Sequence, residues 1–213
     1  LKKQLTVRAK ENAIGIRPPA FKVYRELPGG RIQIPRFFEG TGAGGVTSFV
    51  RGEDASPTMR FVGTLRPHQK EALEAFKGNG VLCLPCGQGK TATALAIASK
   101  YKRKTVIVVH KEFLANQWRE RIAQFCPGST VGLIQGDVWD VDGHDFVISM
   151  IQTLCTREHA PNAFDMFGLV IVDEAHHVGA PAFSRTMFKI RPEFTLGLTA
   201  TPERKDGLTC LLY

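Results

Sequence analysis

A glycine-rich segment with a lysine and a threonine is the first place in the sequence where the residue types suit a reaction. Residues 84–91 read LPCGQGKT and follow a short apolar run. Gly87 and Gly89 allow successive backbone N–H groups to point inward, and a helix that begins near Lys90 adds the positive end of its dipole. The Lys90 ammonium suits nucleotide phosphates and the Thr91 hydroxyl suits a Mg²⁺ ion. We predict a phosphate-binding loop with these members: Pro85, Cys86, Gly87, Gln88, Gly89, Lys90 and Thr91.

The strict form of this loop pattern, G-x-x-x-x-G-K-[ST], is incomplete here. Leu84 stands at its first position, where the pattern has glycine. An ordinary connection between a strand and a helix is therefore the alternative interpretation of this segment when it is taken alone.

A second segment supplies two neighbouring carboxylates. Residues 168–177 read GLVIVDEAHH, an apolar run that ends in Asp173 and Glu174. Adjacent acids at the end of a buried strand repel each other unless a cation lies nearby. We expect Asp173 to reach Mg²⁺, directly or through water, and Glu174 to orient and deprotonate an attacking water. Both segments together predict one site that binds Mg-ATP and hydrolyses it.

The elements that must position these residues follow from an alternation of apolar runs and helical patterns after about residue 64. Continuously apolar runs predict strands at 81–84, 105–109, 130–134, 145–149, 168–172 and 194–198. Helices are predicted at 67–77, 90–101, 112–125, 151–157 and 181–189. Strands that are apolar throughout indicate a parallel sheet covered by helices on both faces. We therefore predict a doubly wound α/β domain with its ligands beyond the carboxyl ends of the strands.

Residues 1–63 differ from the rest and are predicted to form a small strand-rich N-terminal segment. Short β-prone runs are separated by proline and glycine, and GTGAGG follows at 40–45. Residues 1–36 carry nine basic and two acidic side chains, which is +7 of the chain's net charge of +8. This charge is consistent with a polyanion partner and equally with a solvated basic face.

The order of the motifs resembles the N-terminal RecA-like domain of a superfamily 2 helicase of the DEAH kind. LRPHQKEAL at 65–73 resembles the adenine-recognition motif, and VVHKEFLANQW at 108–118 resembles motif Ia. MIQTL at 150–154 is similar to the next segment that contacts a nucleic-acid strand, and LTATP at 198–202 resembles motif III. HKEFLANQW and ATPERKDGL are most similar to XPB-like repair helicases and related helicases of large DNA viruses and phages. The resemblance covers about residues 64–213 and implies a RecA-like P-loop NTPase domain with a mainly parallel sheet.

The resemblance also implies cofactors, partners and roles for further residues. ATP and Mg²⁺ are the implied cofactors and nucleic acid is the implied partner; the branch favours DNA, with RNA left open. Gln69 is the implied base contact, with Arg66 beside it. Contacts to nucleic acid, or coupling of the ATP state to movement, are implied for a further set: His110, Lys111, Gln117, Gln152, Thr153, His176, Thr199 and Thr201.

Two departures from that family bear on activity. Cys86 and Gln88 stand where Thr and Ser are commoner, and both keep the glycines of the loop. The sequence stops after motif III, so the resemblance implies that a second RecA-like domain, with the arginines that complete the ATP site, lies outside this chain. We therefore expect this chain alone to bind nucleotide and to turn it over weakly. Since it starts at Leu1, we expect it to begin inside a longer reading frame.

Other candidate residues have simpler interpretations. Cys83 and Cys86 have the spacing of a redox or metal pair, but no second pair accompanies them, and buried thiols are the favoured interpretation. Metal binding by His176 and His177 is disfavoured because adjacent side chains diverge. Trp118 has a face for stacking on a base, but its helical spacing from other apolar residues favours a place in the core.

Composition restricts the class of protein. The sequence has 213 residues and five cysteines, an odd number that does not form a dense framework. It contains no apolar run long enough for a membrane span and no signal-peptide pattern, so we expect a soluble intracellular protein.

A nucleic-acid-binding module whose nucleotide site is only structural or regulatory is the competing function. Nothing in the sequence indicates an oligomeric state.

Overall fold

The computed structural model describes residues 1–8, 19–35, 49–174 and 180–201. Its helices are α1 (Pro67–Ala75), α2 (Lys90–Tyr101), α3 (Glu112–Phe125), α4 (Ile151–Thr156) and α5 (Ala180–Lys189). Its strands are β1 (Thr6–Val7), β2 (Phe21–Lys22), β3 (Arg25–Glu26), β4 (Ile32–Gln33), β5 (Asn79–Cys83), β6 (Thr105–Val109), β7 (Val131–Gln135), β8 (Val138–Asp140), β9 (Phe146–Met150), β10 (Leu169–Val172) and β11 (Phe194–Thr199). None of these helices is both long enough and apolar enough to cross a membrane.

Seven strands form one sheet in the order β5-β11-β10-β6-β9-β7-β8. Neighbouring strands are parallel except for β7 and β8, which are antiparallel. Strands β6, β9 and β10 are buried at every residue, as their continuously apolar sequences predict.

The core lies on both faces of this sheet. On one face Ile107 and Ile171 pack with α2 and α3 around Leu95 and Trp118. On the other face Val106 and Val170 belong to a second cluster that includes residues of α4. Successive residues of a strand point to opposite faces, so β6 and β10 contribute to both clusters. The predicted doubly wound α/β fold is confirmed.

All six predicted strands and all five predicted helices are present, with ends that differ by at most two residues. Strand β8, a three-residue edge strand in which every residue is exposed, was not predicted from the sequence. Because β8 is short and solvated, it carries neither an apolar run nor an alternating pattern.

The N-terminal part of the chain contains two small antiparallel pairs, β1 with β2 and β3 with β4. Leu5, Val23 and Tyr24 form the buried cluster beneath them. The expected strand-rich segment is confirmed in this respect. The glycine-rich residues 40–45 lie outside the described residues.

Residues 49–63 pack on the α/β domain, although the sequence analysis placed them in the N-terminal segment. Met59 is fully buried in the main core, and the Phe61 ring stacks on that of Phe125 with their centres 5.5 Å apart. A Cβ atom added to Gly52 would lie 2.2 Å from the backbone nitrogen of Gly168. The domain boundary at residue 63 stays a prediction, and this packing favours one closer to residue 49.

Candidate nucleotide site

The sheet order brings the predicted site residues to one edge. Strand β11 lies between β5 and β10, so the loop after β5 and the acids after β10 flank motif III. Thr199 pairs with Cys83, and Gly197 pairs with Val172. Parallel strands end at the same edge of a sheet, which is where doubly wound folds bind ligands.

The glycine-rich loop has the backbone that a phosphate cradle needs. Gly87 and Gly89 have φ values of +77° and +78°, in the left-handed region that favours glycine. A Cβ atom at Gly89 would lie 2.2 Å from Gln69 Nε2, whereas one at Gly87 would meet nothing within 4 Å. Helix α2 begins at Lys90, directly after Gly89. The loop therefore presents the positive end of a helix beside open space.

Lys90 and Glu174 face each other across this edge of the sheet. The distance from Lys90 Nζ to Glu174 Oε1 is 3.9 Å, and the two side chains are 10% and 21% exposed. Lys90 Nζ also donates a hydrogen bond of 3.1 Å to the carbonyl oxygen of Leu84. The loop lysine and the second acid are thus parts of one site, although they are 84 positions apart in the sequence.

Asp173 is a buried carboxylate, with only 6% of the residue exposed. Burial is the largest cause that raises the pKa of Asp173, and the neighbouring Glu174 raises it further. Hydrogen bonds from Trp118 Nε1 to Oδ2, at 2.8 Å, and from the Glu174 N–H to Oδ1, at 2.9 Å, oppose this effect. A carboxylate in this position is better matched by a cation than by its present surroundings.

Glu174 has a strained backbone. Its φ value is +48°, which is uncommon for a residue with a side chain and costs of the order of 1 kcal/mol. This turn follows β10 directly and leaves the Glu174 side chain beside Lys90. Strain of this kind at the end of a strand is typical of functional sites.

The predicted adenine-recognition motif braces the phosphate loop. Gln69 is buried, and its Oε1 accepts a 2.8 Å hydrogen bond from the Arg66 N–H. Its Nε2 donates hydrogen bonds of 3.2 Å to the carbonyl oxygens of Gln88 and Gly89. His68 Nε2 lies 3.2 Å from the same Gln88 carbonyl oxygen. Arg66 is exposed. The sequence gives no signal for this bracing, and the base contact by Gln69 stays a prediction.

Several of the predicted nucleic-acid contacts lie at the same edge of the sheet. Gln152, in the first turn of α4, donates a 3.0 Å hydrogen bond to the carbonyl oxygen of His110, which follows β6. Lys111 and Gln117 are exposed, and Lys111 Nζ lies 5.8 Å from the ring centre of Phe113, which is 61% exposed. This edge therefore carries a basic and an aromatic side chain that are open to a ligand.

Thr153 differs from these residues because it is buried. Its hydroxyl accepts a 3.0 Å hydrogen bond from the Gly136 N–H, in the turn between β7 and β8. The structure thus gives Thr153 a bond inside the protein, and a direct contact with nucleic acid stays a prediction.

Motif III is tied to the phosphate loop through the backbone. The Thr199 hydroxyl is buried, donates to the Thr201 carbonyl at 2.5 Å and accepts from the Thr201 N–H at 3.2 Å. The Leu84 N–H donates a 3.2 Å hydrogen bond to the Thr199 carbonyl oxygen. His176, and with it the end of the predicted DEAH sequence, lies outside the described residues, as does His177.

Two interpretations of single residues are resolved by the fold. Trp118 is 1% exposed, which confirms its place in the core. Its hydrogen bond to Asp173 was not predicted. The expectation of buried thiols is wrong, because Cys83 and Cys86 are both exposed. Cys83 lies in β5, an edge strand of the sheet, and Cys86 lies in the loop.

Within the described residues, no three His, Cys, Asp or Glu side chains are grouped so that they could hold a metal.

Two relatives of this chain are named as a helicase and a translocase. A protein of Acanthamoeba polyphaga mimivirus named "Putative ATP-dependent RNA helicase L396" is 37% identical over 201 residues, which cover 91% of this chain and 38% of that protein. "DNA 3'-5' translocase XPB2" of Sulfurisphaera tokodaii is 37% identical over 145 residues, 67% of this chain and 32% of the relative. This chain therefore spans well under half the length of these two relatives.

A solved structure shares the fold. The SWI2/SNF2 ATPase core of Sulfolobus solfataricus in complex with dsDNA has a TM-score of 0.59 and 21% sequence identity, over 72% of this chain and 36% of that one. The family model described as "Type III restriction enzyme, res subunit" matches residues 63–204, which is most of the sequence. The chain therefore belongs to this family, ResIII, and has the RecA-like fold of superfamily 2 helicase cores.

Proposed function

We propose that this chain is the ATP-binding half of an ATP-dependent helicase or duplex translocase that acts on nucleic acid. The observation that carries the proposal is the 3.9 Å approach of Lys90 Nζ to Glu174 Oε1, beside a loop with two left-handed glycines. The relatives that are named as helicases and translocases support the same reaction class. Membership of the DEAH subgroup is part of this proposal.

The residues present fit a nucleotide and a magnesium ion. Open space beside Gly87 leaves room for a phosphate, and the Lys90 ammonium can exchange its bond to the Leu84 carbonyl for a phosphate oxygen. Thr91 and Asp173 are the residues that would hold Mg²⁺. A single hydroxyl and a single carboxylate suit Mg²⁺, which keeps several waters and binds substrate phosphates. When bound, Mg²⁺ neutralises part of the charge on the β and γ phosphates.

The positions of the protein groups support the following roles. Lys90 binds the terminal phosphates, and Asp173 fixes the metal side of the site. Glu174 orients a water molecule for attack on the terminal phosphate and accepts its proton. The link from Leu84 to Thr199 provides a route by which motif III senses the state of the phosphate loop.

We propose DNA as the nucleic acid. The branch resemblance and the archaeal translocase support DNA, while the mimivirus relative is named as an RNA helicase. Nucleotide turnover by a protein that contains both RecA-like domains, measured with duplex DNA and with duplex RNA, separates the two. Stimulation by RNA alone would contradict the choice of DNA.

Substitutions at Lys90 and Glu174 separate binding from turnover and test the proposed function. Lys90→Ala should abolish the binding of a fluorescent ATP analogue, because it removes the cation of the phosphate loop. Glu174→Gln keeps the size of the side chain and should leave binding within about twofold while it lowers turnover in the two-domain protein by about 10²-fold or more. Retained affinity in Lys90→Ala, or full turnover in Glu174→Gln, would contradict the proposal.

The second candidate function is a nucleic-acid-binding module with a regulatory nucleotide site. The basic segment at residues 1–36, with its net charge of +7, favours this reading. The Glu174→Gln experiment discriminates, since a regulatory site needs nucleotide binding but no general base.

A further inference from the structure

We infer that Trp118 is a positioning residue for Asp173 and holds the carboxylate in the orientation that binds the metal. This inference rests on the proposed function, since it concerns the magnesium side of the nucleotide site. Trp118 lies in α3 and is 1% exposed, and its Nε1–H donates to Asp173 Oδ2 at 2.8 Å. The indole N–H is a donor only, so the direction of this hydrogen bond is unambiguous.

The hydrogen bond fixes a carboxylate that is already held at one end. The Glu174 N–H binds Oδ1 at 2.9 Å, and Trp118 binds Oδ2. With one donor on each oxygen, rotation of the carboxylate plane breaks both bonds. Each oxygen keeps lone pairs for a metal ion or for a water molecule bound to it. Partners that orient a metal-binding carboxylate typically change metal affinity by 10- to 100-fold when they are removed.

Packing alone does not account for a tryptophan at this position. The core around Trp118 consists of apolar side chains such as Leu95, Ile107 and Ile171, which any large apolar residue could contact. What distinguishes tryptophan is the N–H that meets Asp173, a residue with only 6% of its surface exposed. Without that donor, Asp173 Oδ2 would lose its protein partner in a site with little water to replace it.

Trp118→Phe removes the N–H and keeps a smaller aromatic ring in the core. The volume lost with the indole lowers the free energy of unfolding, which urea denaturation measures separately from Mg²⁺ binding. We expect this variant to bind mant-ATP without Mg²⁺ as the parent chain does, since that binding depends on the loop and Lys90. The Mg²⁺ concentration for half-maximal enhancement of mant-ATP binding should rise about tenfold. The measurement is a Mg²⁺ titration of mant-ATP fluorescence, excited directly and not through tryptophan.

Tyr101→Phe is the matched control. The Tyr101 hydroxyl donates a 3.0 Å hydrogen bond to the Phe76 carbonyl, at the far end of α2, about 16 Å along the helix from Lys90. This variant also loses one internal hydrogen bond, and it should leave the Mg²⁺ midpoint unchanged. Equal midpoints in Trp118→Phe and Tyr101→Phe would overturn the inference. Failure of the parent chain to bind mant-ATP would instead overturn the proposed function, and this inference with it.

Tryptophan fluorescence provides a second readout that keeps Trp118 in place. The sequence has two tryptophans, and Trp139 is 42% exposed, so Trp139→Phe leaves Trp118 as the single reporter. Addition of Mg²⁺ to this protein with AMP-PNP should shift the emission of Trp118. The shift should be absent when Asp173→Asn is added. A protein that binds AMP-PNP in a Mg²⁺-dependent manner with no change in Trp118 emission would contradict the inference.

Discussion

The carboxylate that we propose as the metal ligand lies where folding disfavours its charge. Asp173 is buried, and the pKa of its carboxyl is raised mainly for that reason. Trp118 and the Glu174 N–H compensate only in part. An apolar or amide side chain would fill the same space at a lower cost. In the proposed site, this position therefore gives up stability for the binding of a metal ion.

Asp173→Asn should stabilise the chain in the absence of metal. Asparagine has nearly the same size and removes the buried negative charge. Its oxygen can accept from the Trp118 N–H, but its NH₂ group then replaces the oxygen that accepts from the Glu174 N–H. We expect the removal of the charge to outweigh this lost hydrogen bond. We expect the free energy of unfolding at neutral pH to increase by about 1 kcal/mol, measured by urea denaturation in EDTA. Mg²⁺-dependent nucleotide binding should be weakened at the same time. A variant that is less stable than the parent would show that the carboxylate is well compensated.

Individual residues were predictable where their chemistry is local. Gly87, Gly89 and Lys90 lie within four consecutive residues, so their loop could be predicted from the sequence. The order of the strands then places Glu174 beside this loop. The bond from Trp118 to Asp173 joins residues 55 positions apart and depends on the packing of α3 against the sheet. No sequence period encodes such a contact, because a buried tryptophan has the same pattern whether or not its N–H has a partner.

At the scale of elements, strands with continuous apolar sequence were predictable, and exposed or irregular segments were not. Strands β6, β9 and β10 are buried throughout, and their almost continuously apolar sequences predict this burial. Strand β8 is exposed, and residues 49–63 have no regular period, although Met59 and Ala55 pack on the core. That segment is held by irregular contacts, including hydrogen bonds from the Ser56 N–H and hydroxyl to Asp145.

Gly168→Ala tests the docking of this segment at the start of β10. A Cβ atom at Gly168 would lie 2.2 Å from the carbonyl oxygen of Arg51, so the 49–63 segment must move. We expect a loss of about 1–3 kcal/mol in the free energy of unfolding, measured by urea denaturation. Gly80→Ala is the control, because its Cβ would meet only Phe76 at 3.8 Å. Equal stabilities of the two variants would show that the contact with Arg51 is not needed.

At the scale of the whole molecule, charge and chemistry are separated along the chain. The net charge of +7 lies in residues 1–36, while the nucleotide site lies in the α/β domain. Only part of the basic segment falls within the described residues. Its expected role in binding a polyanion stays a prediction that composition alone supports.

Deletion of residues 1–48 tests this role, and it preserves the 49–63 segment that packs on the α/β domain. Each phosphate contact contributes about 0.9 to the slope of log K against log salt for duplex DNA. We expect the deletion to reduce both the affinity for duplex DNA and the salt slope by several contacts. Nucleotide binding, measured with mant-ATP, should stay unchanged as the control. An unchanged slope would place the DNA contacts on the sheet edge that carries Lys111 and Gln152.

The proposed nucleotide site is tested most directly by a crystal structure of this chain with AMP-PNP and Mn²⁺, in which the metal is located by its anomalous signal. We expect a triphosphate bound by the backbone of residues 87–91 and the Lys90 ammonium, with the metal between Thr91 and Asp173. An empty loop, or a triphosphate whose metal lies away from Asp173 and Glu174, would contradict the claim that these residues form one nucleotide-hydrolysing site.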